Sequence, residues 1–298
     1  MCGIVGLHLR DAALYPQLGA LLTDMLTQLV ERGPDSAGMA VYGDPRWSPP
    51  GHATVSVLDS PCTATELADK VAVILGVEVT GIDLSPTTLL HASAEPGALA
   101  AAVRTAAGNV RVIGYGHDLA VLKGVGNPRT LADSFGLAGA SGWQGVAHTR
   151  MATESAVTPE GSHPFSVGPD QCLVHNGSFS NYMSVRHRLE RDGVVFDSYN
   201  DTEVGAQFVA RQLAEGADLE KALLLLNETL DGFYTLLVST ADSFAVVRDA
   251  IACKPAVIAE TDRWVAMASE YRALAGLPGI DTARIYEPEP EEVYVWHR

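Results

Sequence analysis

The sequence predicts an α+β fold, and three patterns predict it. Apolar stretches of strand length open and close the chain, and four near the end (233–239, 244–248, 256–259 and 264–268) are spaced like an antiparallel meander. Longer stretches with apolar residues at helical spacing stand between them. Residues 52–142 differ in texture, being rich in Ala and Val and poor in aromatics, which predicts an α/β insertion.

The elements follow in order. Residues 3–9 are a short apolar run suited to a buried strand. Leu18, Leu21, Leu22, Met25, Leu26, Leu29 and Val30 recur at helical spacing, so 17–31 reads as an amphipathic helix, which Arg32-Gly33-Pro34-Asp35 ends. Residues 36–42 read as a second strand and the Pro-rich stretch 45–51 as a boundary. In the insertion, 54–58 is a strand, and Thr63-Ala64-Thr65-Glu66 is a capping box opening a helix over 64–75. Strands at 77–84 and 88–93, a helix at 96–107 and a strand at 110–115 complete a β-α-β-β-α-β order, the ferredoxin-like pattern. Strands at 145–149 and 171–175 and helices at 181–192, 202–214 and 219–230 lead into the closing meander.

With 298 residues and 47% hydrophobic content, the chain can bury a sizeable core. Its 20 basic and 36 acidic residues leave a charge of −16. That excludes general nucleic-acid binding, which needs basic phosphate contacts, and an anionic membrane surface as partner. Apolar runs such as 71–75 and 222–226 fall far short of the roughly 18 residues of a membrane span. The chain opens without the basic region of a signal peptide, so a cytoplasmic location is expected.

The cysteines are Cys2, Cys62, Cys172 and Cys253, with no CxxC pair. Neither a disulfide framework nor a structural metal site is expected from that spacing. No cofactor is expected in this chain, since Gly124-Val125-Gly126-Asn127 lacks the Lys and helix of a phosphate loop. Three cysteines are expected to be small buried residues. Cys2 differs, because removal of Met1 would put a thiol and a free α-amine on one residue. Their reference pKa values, about 8.5 and about 7.7–8.0, let the amine take the thiol proton near neutral pH.

The opening Met1-Cys2-Gly3-Ile4-Val5-Gly6 resembles the start of the class II glutamine amidotransferases, which are N-terminal nucleophile hydrolases. The resemblance continues in order through Arg32-Gly33-Pro34-Asp35-Ser36-Ala37-Gly38, His148-Thr149-Arg150-Met151-Ala152-Thr153, His175-Asn176-Gly177 and Asn200-Asp201-Thr202-Glu203-Val204. Arg248-Asp249 and Ala268-Ser269-Glu270 resemble later framework segments. It covers roughly residues 1–45 and 143–275; 52–142 carries no motif of the family. The resemblance implies a four-layer αββα sandwich over 1–298, with the insertion at about 52–142.

The same resemblance implies the site. Cys2 would be the nucleophile, and Asn176 and the Gly177 N–H would stabilise the oxyanion. Arg32 would position the Cys2 loop. Arg150 would grip the α-carboxylate of L-glutamine through paired hydrogen bonds, Asp201 would take its α-ammonium, and Thr153 would add a hydroxyl contact. Residue chemistry alone offers other readings. Asn-Gly is a strong hairpin-turn signal, Asp201 could cap a helix, and Arg32 could complement a helix C-terminus. Glu154 stands where some relatives carry His or Ala. His148, His163 and His175 are read as framework residues rather than metal ligands or a Cys–His pair.

Hydrolysis would yield glutamate and ammonia through a Cys2 thioester. The glutaminase fold would use nearly all of the chain, so the ammonia acceptor is expected on another polypeptide. Separate amidotransferase subunits of glutamate-synthase-like and N-methylglutamate synthase systems are similar, which implies separate synthase and flavin-binding subunits as partners. Two rival readings are a glutamine sensor without turnover and an N-terminal nucleophile amidase for another substrate.

Overall fold

The computed structural model describes residues 2–151 and 157–298. The chain begins with β1 (Gly3–Leu9), α1 (Leu18–Thr27) and β2 (Ser36–Tyr42), then β3 (Ala53–Leu58), α2 (Ala64–Leu75), β4 (Val79–Leu84), β5 (Thr87–Ala92), α3 (Pro96–Ala106) and β6 (Arg111–Gly116). It continues through β7 (Leu119–Val125), α4 (Pro128–Phe135), β8 (Gln144–Arg150), β9 (Cys172–Phe179), α5 (Tyr182–Arg191), α6 (Asp201–Ala214) and α7 (Leu219–Thr229). β10 (Gly232–Ser239), β11 (Ser243–Arg248), β12 (Val257–Glu260), β13 (Trp264–Ala268), β14 (Arg284–Tyr286) and β15 (Val293–His297) close it.

Two antiparallel sheets face each other, with strand orders β14-β12-β13-β1-β8-β2-β7 and β15-β11-β10-β9. Strand alternation builds the layers. On β1, Val5, Leu7 and Leu9 pack with Leu18, Leu22 and Met25 of α1, while Ile4 packs with Val174, Leu237 and Phe244 of the second sheet. Beyond that sheet, Val204 and Phe208 of α6 and Leu219 and Leu223 of α7 cover Leu236, Ala245 and Val247. The result is the expected four-layer αββα sandwich. Gly6 permits the close approach of the sheets, because a Cβ there would lie 2.4 Å from Leu237.

A third sheet, ordered β4-β5-β3-β6, is antiparallel throughout. Together with α2 and α3 it has its own core, built on Val55, Leu67, Leu90, Leu99 and Val103. Thr63 and Glu66 form the capping box that starts α2. The segment 52–142 divides structurally: its own sheet ends with β6 at Gly116, whereas β7 pairs with β2 and so rejoins the large sheet. The outer edge of β7 is closed by side chains of the small sheet, Ser56 Oγ accepting from Val121 N–H at 2.9 Å and Thr87 Oγ1 from Lys123 N–H at 3.2 Å. The predicted helix over 17–31 is also shorter. After Thr27 the chain tightens into a 3-10 turn over Val30–Arg32, which delivers Arg32 to the start of β1.

Candidate active site

Cys2 sits just before β1 at one end of the sandwich and is half-buried. Two side chains from distant parts of the sequence converge on its backbone carbonyl: Arg32 Nε donates to it at 2.9 Å and Asn176 Nδ2 at 3.4 Å. The next residues are pinned from the other side. Ile4 N–H donates to Ser269 Oγ, and Ser269 N–H donates back to Ile4 O, both at 2.9 Å. The Cys2 thiol lies 3.9 Å from the carbonyl oxygen of Met151.

Arg32 is held in turn by Glu270, whose Oε1 accepts from Nη1 at 2.6 Å, and Glu270 also pairs with Arg272 at 2.7 Å. The hydrogen bond from Arg32, aided by Arg272, holds the Glu270 carboxyl below its ordinary pKa. Gly33 then lets the turn lie directly on the end of β8. A Cβ there would come within 2.6 Å of the Arg150 backbone, and Asp35 N–H donates to Arg150 O at 3.2 Å. Arg150 itself is buried at the last position of β8, paired across from Ser36. The 32–35 turn thus links the nucleophile candidate to the carboxylate-binding candidate.

Asn176 and Gly177 lie inside β9, paired with Thr235 and Tyr234 of β10, so the Asn-Gly dipeptide is not a hairpin turn here. Gly177 has φ +144°, and a Cβ would meet Phe233 O at 2.0 Å. Asp201 is not the cap of α6: Asn200 is, accepting from Thr202 N–H at 2.9 Å. Asp201, the first helical residue, accepts from Phe179 N–H through Oδ2 at 2.8 Å, tying the helix start to the strand that carries Asn176 and Gly177. Its Oδ1 lies 3.9 Å from His175 Nδ1. Thr153 and Glu154 lie outside the described residues.

The three histidines form a buried stack. His148 and His163 lie 4.2 Å apart ring to ring, and His175 stacks on Phe179 at 4.4 Å. Thr202 Oγ1 joins two of them, 2.9 Å from His175 Nδ1 and 3.3 Å from His163 Nε2. Burial pushes all three below the ordinary imidazole value, His148 to about 3 with further help from the nearby His175 and Arg150. They are neutral at pH 7. Among the described residues no group of His, Cys, Asp and Glu has the arrangement of a metal site.

The four cysteines differ in setting. Cys172 is buried and its thiol is pushed up to about 12, whereas Cys62 is half-buried and Cys253 is exposed, so only Cys172 is the inert core residue expected of three. The sequence reading missed Lys123, the only described lysine that is fully buried. An isolated Lys in a strand carries no signal of burial.

The family described as a glutamine amidotransferase domain matches residues 148–276. The glutamine amidotransferase-like protein GlxB of Rhizobium meliloti (strain 1021) is 48% identical over 302 residues, covering 99% of this chain and 98% of that one. A putative glutamine amidotransferase of Methanothermobacter thermautotrophicus is 32% identical, covering 99% of each chain. Among solved structures, glutamine phosphoribosylpyrophosphate amidotransferase from B. subtilis, complexed with ADP and GMP, matches 99% of this chain and 47% of its own, with a TM-score of 0.63 at 19% identity. At that identity the likeness is one of fold.

Proposed function

The chain belongs to the class II glutamine amidotransferases, and on that premise we propose that it hydrolyses glutamine to glutamate and ammonia through a thioester on Cys2. The observation that carries this reading is the convergence of Arg32 and Asn176 on the Cys2 carbonyl, beside the buried Arg150. Removal of Met1 would free the Cys2 α-amine as the general base.

In this reading Sγ attacks the side-chain amide carbon while the amine takes the thiol proton. The Asn176 amide and the Gly177 N–H receive the developing oxyanion, an interaction typically worth about 3–4 kcal/mol per donor. The amine then passes the proton to the leaving nitrogen, the C–N bond breaks and ammonia departs. Water adds to the thioester with the amine again as base, the C–S bond breaks, and glutamate leaves. Arg150 pairs with the substrate α-carboxylate, Asp201 with its α-ammonium, and Thr153 adds a hydroxyl contact. Arg32 acts through Cys2 as a positioning residue.

The ammonia would pass to a synthase on a separate polypeptide, in keeping with the resemblance to subunits of glutamate-synthase-like and N-methylglutamate synthase systems with flavin-binding partners. The unit from β3 to β6 is then an insertion available to meet that partner, and the expected compartment is the cytoplasm. No helix of the described residues is long and apolar enough to cross a membrane.

The test is glutamate release from glutamine by wild type and Cys2→Ala, with and without candidate partner subunits, alongside the mass of the N-terminal peptide. Release that depends on Cys2, from a chain lacking Met1, supports the reading. Glutamine binding without turnover in every condition would favour a sensor, turnover of other amides alone would favour another amidase, and a retained Met1 would remove the base.

A further inference from the structure

Lys123 is one of only four lysines in the chain, with Lys70, Lys221 and Lys254, and it lies in the interior, 2% exposed. Its position follows from register. Lys123 pairs with Gly38, Gly38 with His148, and His148 with Ile4, so the side chains of Lys123, His148 and Ile4 project toward the second sheet, with Gly38 between them. The absence of a side chain at Gly38 leaves room for the lysine stem: a Cβ there would lie 3.1 Å from Lys123 Cγ and 2.1 Å from His163 O. The ammonium group lies over the Phe165 ring at 4.7 Å and has no hydrogen-bond acceptor among the described residues. Burial lowers its pKa to about 8, against the opposing pull of Glu203 and Glu160.

The amine lines a small cavity of about 40 Å³, open on one side, between β6 and the loop that precedes α6. Ser166 Oγ lines the same cavity, is buried, and also has no hydrogen-bond partner among the described residues. A buried hydroxyl with only the Cys172 thiol beside it and an amine with no protein acceptor face one cavity, and both gain from an acceptor that fills it. The acids around the cavity are already engaged or lie at its rim. Glu203 accepts from Asp197 N–H, Ser198 N–H and Ser198 O–H, each within 2.7 Å, while Glu160 lies 4.0 Å from Arg111 at the opening and Asp197 is exposed. The floor, including Ile113 and Phe165, is apolar.

We propose that this cavity is a second ligand site, for a short-chain carboxylate, whose oxygens accept from Lys123 Nζ and Ser166 Oγ while its carbon chain rests on the apolar floor. An acceptor of one negative charge can take hydrogen bonds from both groups, and Arg111 at the rim favours entry of an anion. The proposal does not depend on the glutaminase reading, because binding can be measured without turnover.

The test is calorimetric titration of acetate, pyruvate and, as a control, ethylammonium into the full chain and into Lys123→Met and Ser166→Ala. Saturable binding of a carboxylate is expected, lost in Lys123→Met and weakened about tenfold or more in Ser166→Ala. It should also weaken as pH rises through about 8, where the amine loses its proton. Should Lys123→Met fail to fold, Lys123→Gln serves with the same expectation. No saturable carboxylate binding in wild type, binding undiminished in the Lys123 variants, or preference for ethylammonium would overturn the proposal.

Discussion

Arg32 holds Cys2 and Glu270 at once, donating to the Cys2 carbonyl at 2.9 Å and to Glu270 Oε1 at 2.6 Å. The thiol residue is therefore oriented by an ion pair that joins the turn after α1 to the end of β13. Replacing Arg32 by Ala is expected to lower kcat for glutamine by about 10²-fold with a smaller change in KM, the size expected of a misplacement near 1 Å. Arg32→Lys should recover little, because one ammonium cannot make both contacts in the guanidinium geometry. Steady-state kinetics check this, and an equal loss through KM alone would contradict it.

The Glu270 carboxyl is held below its ordinary value by Arg32. A carboxyl with a lowered folded-state pKa stabilises the fold fully above its unfolded value. That contribution is lost as pH falls through the folded value. Wild type should therefore lose stability in acid below roughly pH 4.5. Glu270→Gln should already lack this contribution at pH 7 and show a shallower acid limb. Urea midpoints at pH 7, 5 and 4 measure the difference.

The buried histidines add a second pH dependence. Their folded pKa values lie below the unfolded value, so the unfolded chain binds more protons at mildly acidic pH. Stability should be full above about pH 6.5 and fall as pH drops toward 4, with a slope of up to about 1.4 kcal/mol per pH unit for each group. His148→Gln should reduce that slope, since His148 titrates at about 3 in the fold. A stability profile flat from pH 7 to 5 would count against the neutral stack.

Gly177 occupies a left-handed backbone conformation with Phe233 O where a Cβ would stand. Gly177→Ala should cost about 2–4 kcal/mol through strain and displacement of β10 from β9. The expected result is a lowered Tm and loss of glutaminase activity together.

Asp201 allows support of the fold to be tested apart from the substrate contact proposed for it. Asp201→Asn keeps an oxygen to accept the Phe179 N–H, so its stability should stay within about 1 kcal/mol of wild type. Asp201→Ala should cost about 1–3 kcal/mol more, leaving that N–H without an acceptor. Both should raise KM for glutamine at least tenfold, because both remove the charge proposed to face its ammonium.

Much of the fold was legible along the chain. The four closing strands, the helices that became α5 to α7, and the capping box that starts α2 all depend on local spacing, which sequence displays directly. The expected single meander does not form, because β10 and β11 pair in one sheet while β12 and β13 pair in the other. The family motifs also picked out the 32–35 turn, Arg150, Asn176, Gly177 and Asp201 before any geometry was known. Contacts between residues far apart in the chain were not legible. β7 lay within a stretch of even Ala- and Val-rich texture, and only pairing with β2 assigns it to the large sheet. Asn176-Gly177 has the local chemistry of a turn but continues a strand, because Tyr234 pairs across from Gly177 and Phe233 O fills the space a side chain would need. Asp201 looked like a helix cap, yet Asn200 caps α6 and frees Asp201 to hold Phe179. Lys123 gave no sign of burial, since its depth is set by Gly38 on a strand 85 positions away. Sequence by itself determined the periodic elements and the residue types of the candidate site, because propensity and spacing act locally. Tertiary structure decided which of those residues meet and which polar groups lose their water, because burial and pairing depend on strands brought together across the whole chain.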